Sequence, residues 1–194
     1  MRYKAKEKVF KQGTPASHLI YIKSGLLKSH FIESNDKEII IDLFYDNMFL
    51  GMHSIYTGGV HQYSATVIQD AELCFIESSA FRDVVINNGG FAAEMMAATC
   101  SDSMHVFHRL RSMIRKQLPG RFAEAILIFS DEIFMSDQFT LPLSRNELAE
   151  FLGSTRESVT RTMTEFRNDK IIELNGKDVR ILTKELLKTI SELG

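Results

Sequence analysis

The sequence predicts an α+β protein: an antiparallel β domain, then a long helix, then a smaller domain of short helices and a β-hairpin. Three patterns in the 194 residues lead to this prediction. Short apolar runs alternate with turn residues in the N-terminal part, a stretch without Pro or Gly follows Gly90, and two capped helical patterns precede an Asn-Gly pair. The domain boundaries expected from these changes of character are 1–88, 89–117 and 118–194.

Turn signals divide the N-terminal part into candidate strands. Apolar runs such as Leu19–Ile22 and Leu26–Ile32 lie between them. Short strands and turns at regular spacing are typical of a sandwich or a barrel. The expected turns are Lys11–Gly13, Lys23–Gly25, Glu33–Lys37 and Asp46–Asn47.

The stretch from Phe91 to about Lys116 is predicted to be one long helix, because it lacks Pro and Gly and is rich in good helix formers. One face of it alternates steps of three and four residues, which is the spacing of a heptad seam. This face either packs on its own domain or pairs with the same face of a second copy. The seam consists of Ala93, Met96, Cys100, Ser103, Phe107, Leu110 and Ile114.

A helix is predicted to begin near Pro119, with Phe122, Ala125, Ile126 and Phe129 on its apolar face.

Two short capped helices are predicted after it. Ser144 and Glu147 have the spacing of a capping box, and Gly153 is placed to end the helix that they begin. Either Ser154 or Thr155 is placed to cap the next helix. Two short helices joined by a tight turn that contains glycine are typical of a helix-turn-helix.

Asn175-Gly176 separates two apolar alternating runs and predicts a β-hairpin after the second helix. Helix, turn, helix and hairpin together indicate a winged helix-turn-helix, and therefore binding to double-stranded DNA. A homodimer becomes the favoured interpretation of the long helix, because palindromic DNA sites require a protein with two-fold symmetry.

The second helix carries the candidates for reading DNA sequence near its N-terminal end, where recognition helices contact bases. Arginine can hold guanine through two hydrogen bonds, and glutamate can accept one from cytosine. Outside such a motif, the same arginines would equally suit an ordinary solvated helix face. The base-reading candidates are Arg156, Glu157, Thr160 and Arg161. The phosphate-contacting candidates, which set register without reading sequence, are Ser144, Arg145, Ser154, Thr155 and Lys177.

Composition sets limits on the function without naming one. The chain is 44% hydrophobic with a net charge of −2, which neither supports nor excludes nucleic-acid binding. We expect a cytoplasmic protein, since no apolar run approaches the roughly 20 residues that cross a bilayer and the Lys-rich N-terminus lacks a signal-peptide core. Cys74 and Cys100 are too few for a four-cysteine iron–sulfur sensor.

The segment Leu143–Arg161 resembles the helix-turn-helix of the Crp/Fnr family of transcription regulators, and the resemblance continues through Lys170–Ile172 and the Gly176-Lys177 wing. In the N-terminal part, Val9–Gly13, Ile20–Gly25 and Ser64–Val67 resemble the cyclic-nucleotide-binding β-roll of that family. The resemblance implies an N-terminal antiparallel β-roll (jelly-roll), a long dimerisation helix and a homodimer that controls transcription by contacting RNA polymerase.

The resemblance also narrows the expected DNA site. Arg156, Glu157 and Arg161 match the base-reading residues of the cyclic-AMP receptor branch, whereas Thr160 is nearer to the serine of the Fnr branch. A TGTGA-like half-site and a TTG-containing half-site therefore both stay open.

The positions that match the family's cyclic-nucleotide site have lost its charged groups. Members that bind cyclic AMP use a Gly-Glu pair for the ribose and an Arg-Ser pair for the cyclic phosphate. This chain has Gly51-Met52 and Tyr63-Ser64 there, and Val106 and Phe107 at the positions that match the adenine contacts. A buried phosphate without its cation is costly, so we expect no tight binding of cyclic AMP.

Three occupants of this pocket stay open: the side chains themselves with no effector, a small uncharged ligand, or the haem with which some family members sense gases. The candidate haem ligands are His53, His61, His105, His108, Met52 and Cys100. A cupin-like metalloenzyme is a remote alternative, but such enzymes need a His-x-His cluster, which the sequence lacks. We therefore expect no enzyme activity and no metal site.

Overall fold

A computed structural model of the chain describes residues 1–33 and 38–194 and divides them into two compact units, Met1–Phe107 and His108–Gly194. The expected fold class is confirmed, with an antiparallel sheet, a long helix and C-terminal helices with a hairpin. The turn expected at Glu33–Lys37 lies, apart from Glu33, outside the described residues. Among the described residues, no helix has the length and apolarity needed to cross a membrane.

The N-terminal unit is built on one antiparallel sheet. Strands β1, β6, β3 and β4 are neighbours in that order, while β2 also pairs with β6 and β5 with β3. The elements are β1 (Arg2–Tyr3), β2 (Lys8–Phe10), β3 (His18–Ile32), β4 (Glu38–Phe44), β5 (Phe49–Leu50), α1 (Met52–Tyr56), β6 (Ser64–Glu77) and α2 (Ser78–Asn87).

The prediction of a turn at Lys23–Gly25 is wrong, because β3 runs through these residues as one long bent strand. The register between β3 and β6 shifts on both sides of Ser24, which marks a bulge. Gly25 is needed there, since a Cβ on it would stand 2.5 Å from the Cα of Ala71 on β6. An isolated glycine inside a strand is a sign of a bulge as well as of a turn.

Two apolar clusters hold the N-terminal unit together. One joins the strands around Ile22, Leu27 and Val67. The other packs Phe81 of α2 and Met95 near the start of the long helix α3 (Gly89–Arg115) against Leu19 of β3. Full burial of each such side chain contributes about 1.5–3 kcal/mol, so the first turns of α3 are firmly attached to the sheet.

The C-terminal unit combines short helices with a small sheet in the order β7-β9-β8. Phe122 and Phe166 meet edge to face at 5.0 Å between ring centroids and join two of its helices. The last helix was not foreseen from the sequence. The elements are α4 (Leu118–Ile128), a π-helical turn (Phe129–Ile133), β7 (Gln138–Thr140), α5 (Arg145–Phe151), α6 (Arg156–Asn168), β8 (Ile172–Asn175), β9 (Asp178–Ile181) and α7 (Lys184–Leu193).

Helix α5 ends at Phe151, and Gly153, two residues later, terminates it as expected and turns the chain sharply into α6. Gly153 has a φ of 59°, and the Ser154 amide donates to the Ala149 carbonyl over 2.9 Å, which together form a Schellman-type end. The Sδ and Cε atoms of Met113, on the last turns of α3, lie against the open side of Gly153. Glycine at position 153 thus permits both the positive φ and the close contact with Met113.

We expect Gly153→Ala to lower the free energy of unfolding by about 1–3 kcal/mol, because alanine resists a positive φ, with a small further loss because its methyl group must displace the flexible end of the Met113 side chain. Gly176→Ala is the matched control, since Gly176 has a φ of 63° and nothing within 4 Å of its hypothetical Cβ. Urea denaturation should place the stability of Gly153→Ala slightly below that of Gly176→Ala. Equal losses in the two variants would contradict the role of Met113.

Candidate functional site: a nucleic-acid interface and a cavity

The first helix of the helix-turn-helix begins at a complete capping box. The Ser144 hydroxyl accepts from the Glu147 amide at 3.3 Å, and the Glu147 carboxylate accepts from the Ser144 amide at 2.9 Å. Thr155, rather than Ser154, caps the second helix by accepting from the Ser158 amide at 3.2 Å. The Ser144 and Thr155 hydroxyls therefore already have partners within the protein.

Helix α6 separates sharply into a buried and an exposed side. Val159, Met163 and Phe166 are buried. The candidate base-reading residues all lie on the exposed side, and the Arg161 side chain is 74% exposed. Its Nε is 4.0 Å from the Glu165 carboxylate, a surface pair of the kind that adds little stability and constrains the guanidinium little. The exposed set is Arg156, Glu157, Thr160 and Arg161.

The wing is the hairpin of β8 and β9, and it is fixed to the helix-turn-helix. Asn175 pairs with Asp178, so the two loop residues are Gly176 and Lys177, one position later than the sequence suggested. Arg145 donates from Nη2 to the Gly176 carbonyl over 3.0 Å. Lys177 stays exposed at the loop, where it can meet a phosphate.

Arg145 therefore has a structural partner that the sequence did not reveal. Its Nη1 also contacts the Met163 sulfur, and burial lowers the pKa of its guanidinium. These contacts hold the start of α5, the recognition helix α6 and the wing as one surface. Of the expected phosphate contacts, only Lys177 and the half-buried Ser154 have no side-chain hydrogen bond recorded within the described residues.

The N-terminal unit encloses a small cavity of about 50 Å³. Four of the expected pocket residues line it: Gly51, Met52, Tyr63 and Val106. The other two do not. Ser64 is buried and its hydroxyl accepts from the Gln12 amide at 3.0 Å, while Phe107 is 61% exposed.

Two carboxyl groups that were not predicted from the sequence also line the cavity. They are Asp42, on β4, and Asp102, on α3, and no Lys or Arg is among the described residues that line it. Burial raises the pKa of Asp102, while His105 and His53 act in the opposite direction. Burial also raises the pKa of the Tyr63 phenol to about 12. The described lining thus combines two carboxyl groups and the imidazoles of His53 and His105 with an apolar and aromatic wall.

The candidate haem ligands do not form one site. Met52, His53 and His105 line the cavity, whereas His61 is buried and stacks on Phe10 with 3.7 Å between ring centroids. Since about 10–15 Å³ holds one water, a 50 Å³ cavity holds a few waters and does not fit a haem. In the described part of the chain, no three His, Cys, Asp or Glu side chains are grouped to hold a metal ion. Two further candidate ligands, His108 and Cys100, are exposed.

The predicted seam of α3 is exposed along the helix. Met96 is 69% exposed, Phe107 61%, Leu110 55% and Ile114 71%. Cys100 and Ala93 are exposed as well, and the half-buried Ser103 donates to the Thr99 carbonyl one turn earlier. Met95, on another side of the helix, faces the core of the N-terminal unit.

Comparisons with known proteins agree with both halves of the fold. Residues 1–88 match the model of the cyclic nucleotide-binding domain, and residues 120–190 match that of the Crp-like helix-turn-helix domain. The chain is 25% identical to the transcriptional activator protein FnrA of Stutzerimonas stutzeri over 180 residues, which cover 91% of this chain and 73% of FnrA.

Two further comparisons extend the similarity. A CRP-like cAMP-activated global transcriptional regulator of Mycobacterium tuberculosis is 24% identical over 92% of this chain and 82% of its own length. The solved structure of FixK2 from Bradyrhizobium japonicum covers 98% of this chain and 95% of its own at a TM-score of 0.89, with 19% identity, and so supports the fold. With both domain models matched in order and a helix-turn-helix in place, the chain belongs to the Crp/Fnr family of transcription regulators.

Proposed function

We propose that this regulator binds a palindromic DNA site as a homodimer and works independently of cyclic AMP. The observation that carries the proposal is the exposed side of α6, where four candidate base-reading residues stand on a helix whose other side is buried. In this proposal the first two turns of α6 enter the major groove, while Lys177 contacts a phosphate from the wing. The base-reading set is Arg156, Glu157, Thr160 and Arg161.

The half-site is either TGTGA-like or TTG-containing. Each of the two arginines can hold a guanine through two hydrogen bonds, and the glutamate can accept a hydrogen bond from the cytosine of a G·C pair. Thr160 adds a hydroxyl whose hydrogen bond currently goes to the Arg156 carbonyl at 2.7 Å. We also propose that the protein contacts RNA polymerase, because the resemblance to the family implies it. A cytoplasmic location is proposed because the proposed partner is DNA.

The dimer is supported by the exposed seam of α3. Four large apolar side chains in heptad spacing lie in contact with water, although burying apolar surface contributes about 25 cal/mol per Å². A second copy of the same helix supplies a matching surface, because the pattern of a two-stranded coiled coil is self-complementary. In this scheme residues 1–88 form the sensory domain, 89–117 the dimerisation helix and 118–194 the DNA-binding domain.

We expect Arg156→Ala and Arg161→Ala each to remove sequence-specific binding while the fold stays intact. Each lost bidentate contact should cost about 1–3 kcal/mol of discrimination between bases. Selection of sites from random duplexes gives the half-site, and fluorescence anisotropy against that site and a scrambled one gives the ratio of affinities.

Arg167→Ala is the matched control, since it removes the same charge from the exposed surface near the end of α6. It should weaken binding to both duplexes by a similar factor and leave the ratio of the two affinities unchanged. Unchanged ratios in Arg156→Ala and Arg161→Ala, with normal circular dichroism, would refute the assignment of base-reading residues.

The seam can be tested with its own cysteine. In a parallel pair of α3 helices the two Cys100 residues face one another, so a short bismaleimide should link two copies covalently. The Cys100→Ser variant should lose the linked dimer on a denaturing gel. Cys74→Ser should keep it, because Cys74 is exposed on β6, away from the seam. Linkage through Cys74 alone would contradict the proposed seam.

Cyclic AMP is expected to bind no better than a dissociation constant of about 1 mM, or −4 kcal/mol. Tyr63 stands where the family's cyclic-AMP binders have an arginine, and no Lys or Arg is among the described residues that line the cavity, so the cyclic phosphate would be buried without a strong cation. Titration calorimetry measures this directly, and DNA binding by the same sample shows that the protein is active. A dissociation constant in the micromolar range would contradict the expectation.

A further inference from the structure

The C-terminal end of α3 is packed directly on the turn of the helix-turn-helix. The guanidinium carbon of Arg109 lies 3.9 Å from the centre of the Phe151 ring. Its Nη2 donates to the Phe151 carbonyl over 3.1 Å. One helical turn later, Met113 lies against Gly153. Because residues four apart share one face of a helix, Arg109 and Met113 form a single contact surface.

Arg109 is well suited to hold the end of α5. Phe151 is the last residue of α5, and the final carbonyls of a helix lack partners within it. A cation there both caps a carbonyl and opposes the negative end of the helix dipole. The buried Phe151 ring adds a cation–π contact on the same guanidinium.

The same turns of α3 are fixed on a second side. Ser112 donates to the Glu124 carboxylate of α4, and Lys116 is paired with the same carboxylate at 2.9 Å. Lys116 also donates to the Ser191 hydroxyl of α7 over 3.3 Å. The end of α3 is thus held by three helices of the C-terminal unit and cannot rotate against them without losing these contacts.

The last two seam positions are the immediate neighbours of the contact surface. Leu110 follows Arg109, and Ile114 follows Met113. We propose that Arg109 and Met113 are positioning residues that fix the angle between the end of the seam, at Leu110 and Ile114, and α6, and thereby select the spacing between the two half-sites. This inference rests on the dimeric DNA binding proposed above. Half-sites lie one helical turn, about 34–36 Å, apart in helix-turn-helix dimers, so a small change of angle changes the preferred spacing.

The test compares Arg109→Ala with Arg111→Ala. Arg111 is exposed on the same helix, so both variants remove one positive charge at nearly the same place. Each full-length protein is titrated with the selected palindrome, with palindromes whose spacer is one base pair longer or shorter, and with a single half-site. Sedimentation shows in parallel whether each variant is a dimer.

We expect Arg109→Ala to lose about tenfold in affinity for the best-spaced palindrome, the loss of a contact worth roughly 1.4 kcal/mol. Its affinity for the single half-site should stay within about twofold, so that its preference for one spacer flattens. Arg111→Ala should keep the wild-type preference. The inference would be overturned if Arg109→Ala kept the wild-type spacer preference or lost as much affinity for the half-site as for the palindrome. It would also be overturned if the Arg109→Ala protein were a monomer.

A second measurement needs no DNA site. Hydrogen–deuterium exchange should be faster in Arg109→Ala than in Arg111→Ala for the peptide that contains the turn at 152–155. Met113→Ala should show the same local increase, because it removes the other half of the contact. Unchanged exchange at the turn in both variants would overturn the inference even if wild-type protein bound no palindrome, an outcome that would separately refute the proposed function.

Discussion

Gly153 combines a positive φ with the Met113 side chain packed over its Cα, and the recognition helix begins three residues later. This one backbone conformation sets the direction in which α6 leaves α5. The cap at Thr155 and the burial of Val159 then fix the rotation of α6 about its own axis. Which side chains face outward is therefore decided by packing, before any charged group takes part.

The wing depends on the same arrangement. Arg145 reaches the Gly176 carbonyl and the Met163 sulfur, so it connects the wing loop to the buried side of α6. An arginine that looks like a phosphate ligand in the sequence is half-buried in the structure, where desolvation lowers its pKa. The cost of burying that charge is offset by a charge-assisted hydrogen bond, which is stronger than a neutral one. This contact makes the DNA-binding surface more rigid.

The features that depend only on neighbouring residues were predicted well from the sequence. The capping box at Ser144 and Glu147 and the end of α5 at Gly153 need only neighbouring residues, and both were predicted. The continuity of β3 was not, because Gly25 signals a turn and a bulge equally until its contact with Ala71 is known. Arg145 could not be assigned for the same reason, since its partner Gly176 is 31 residues away.

The cavity shows what a resemblance to a family cannot predict. Matching positions reveal which charges are missing at Met52 and Tyr63, but they cannot reveal charges that come from elsewhere. Asp42 and Asp102 lie on β4 and α3 and meet only in the folded unit. A cavity without a cation lacks an attraction that a low dielectric strengthens, and no Lys or Arg of the described lining supplies one here. The side chains that line the cavity therefore cannot be inferred from the fold alone, although the backbone that encloses them is that of the cyclic nucleotide-binding domain.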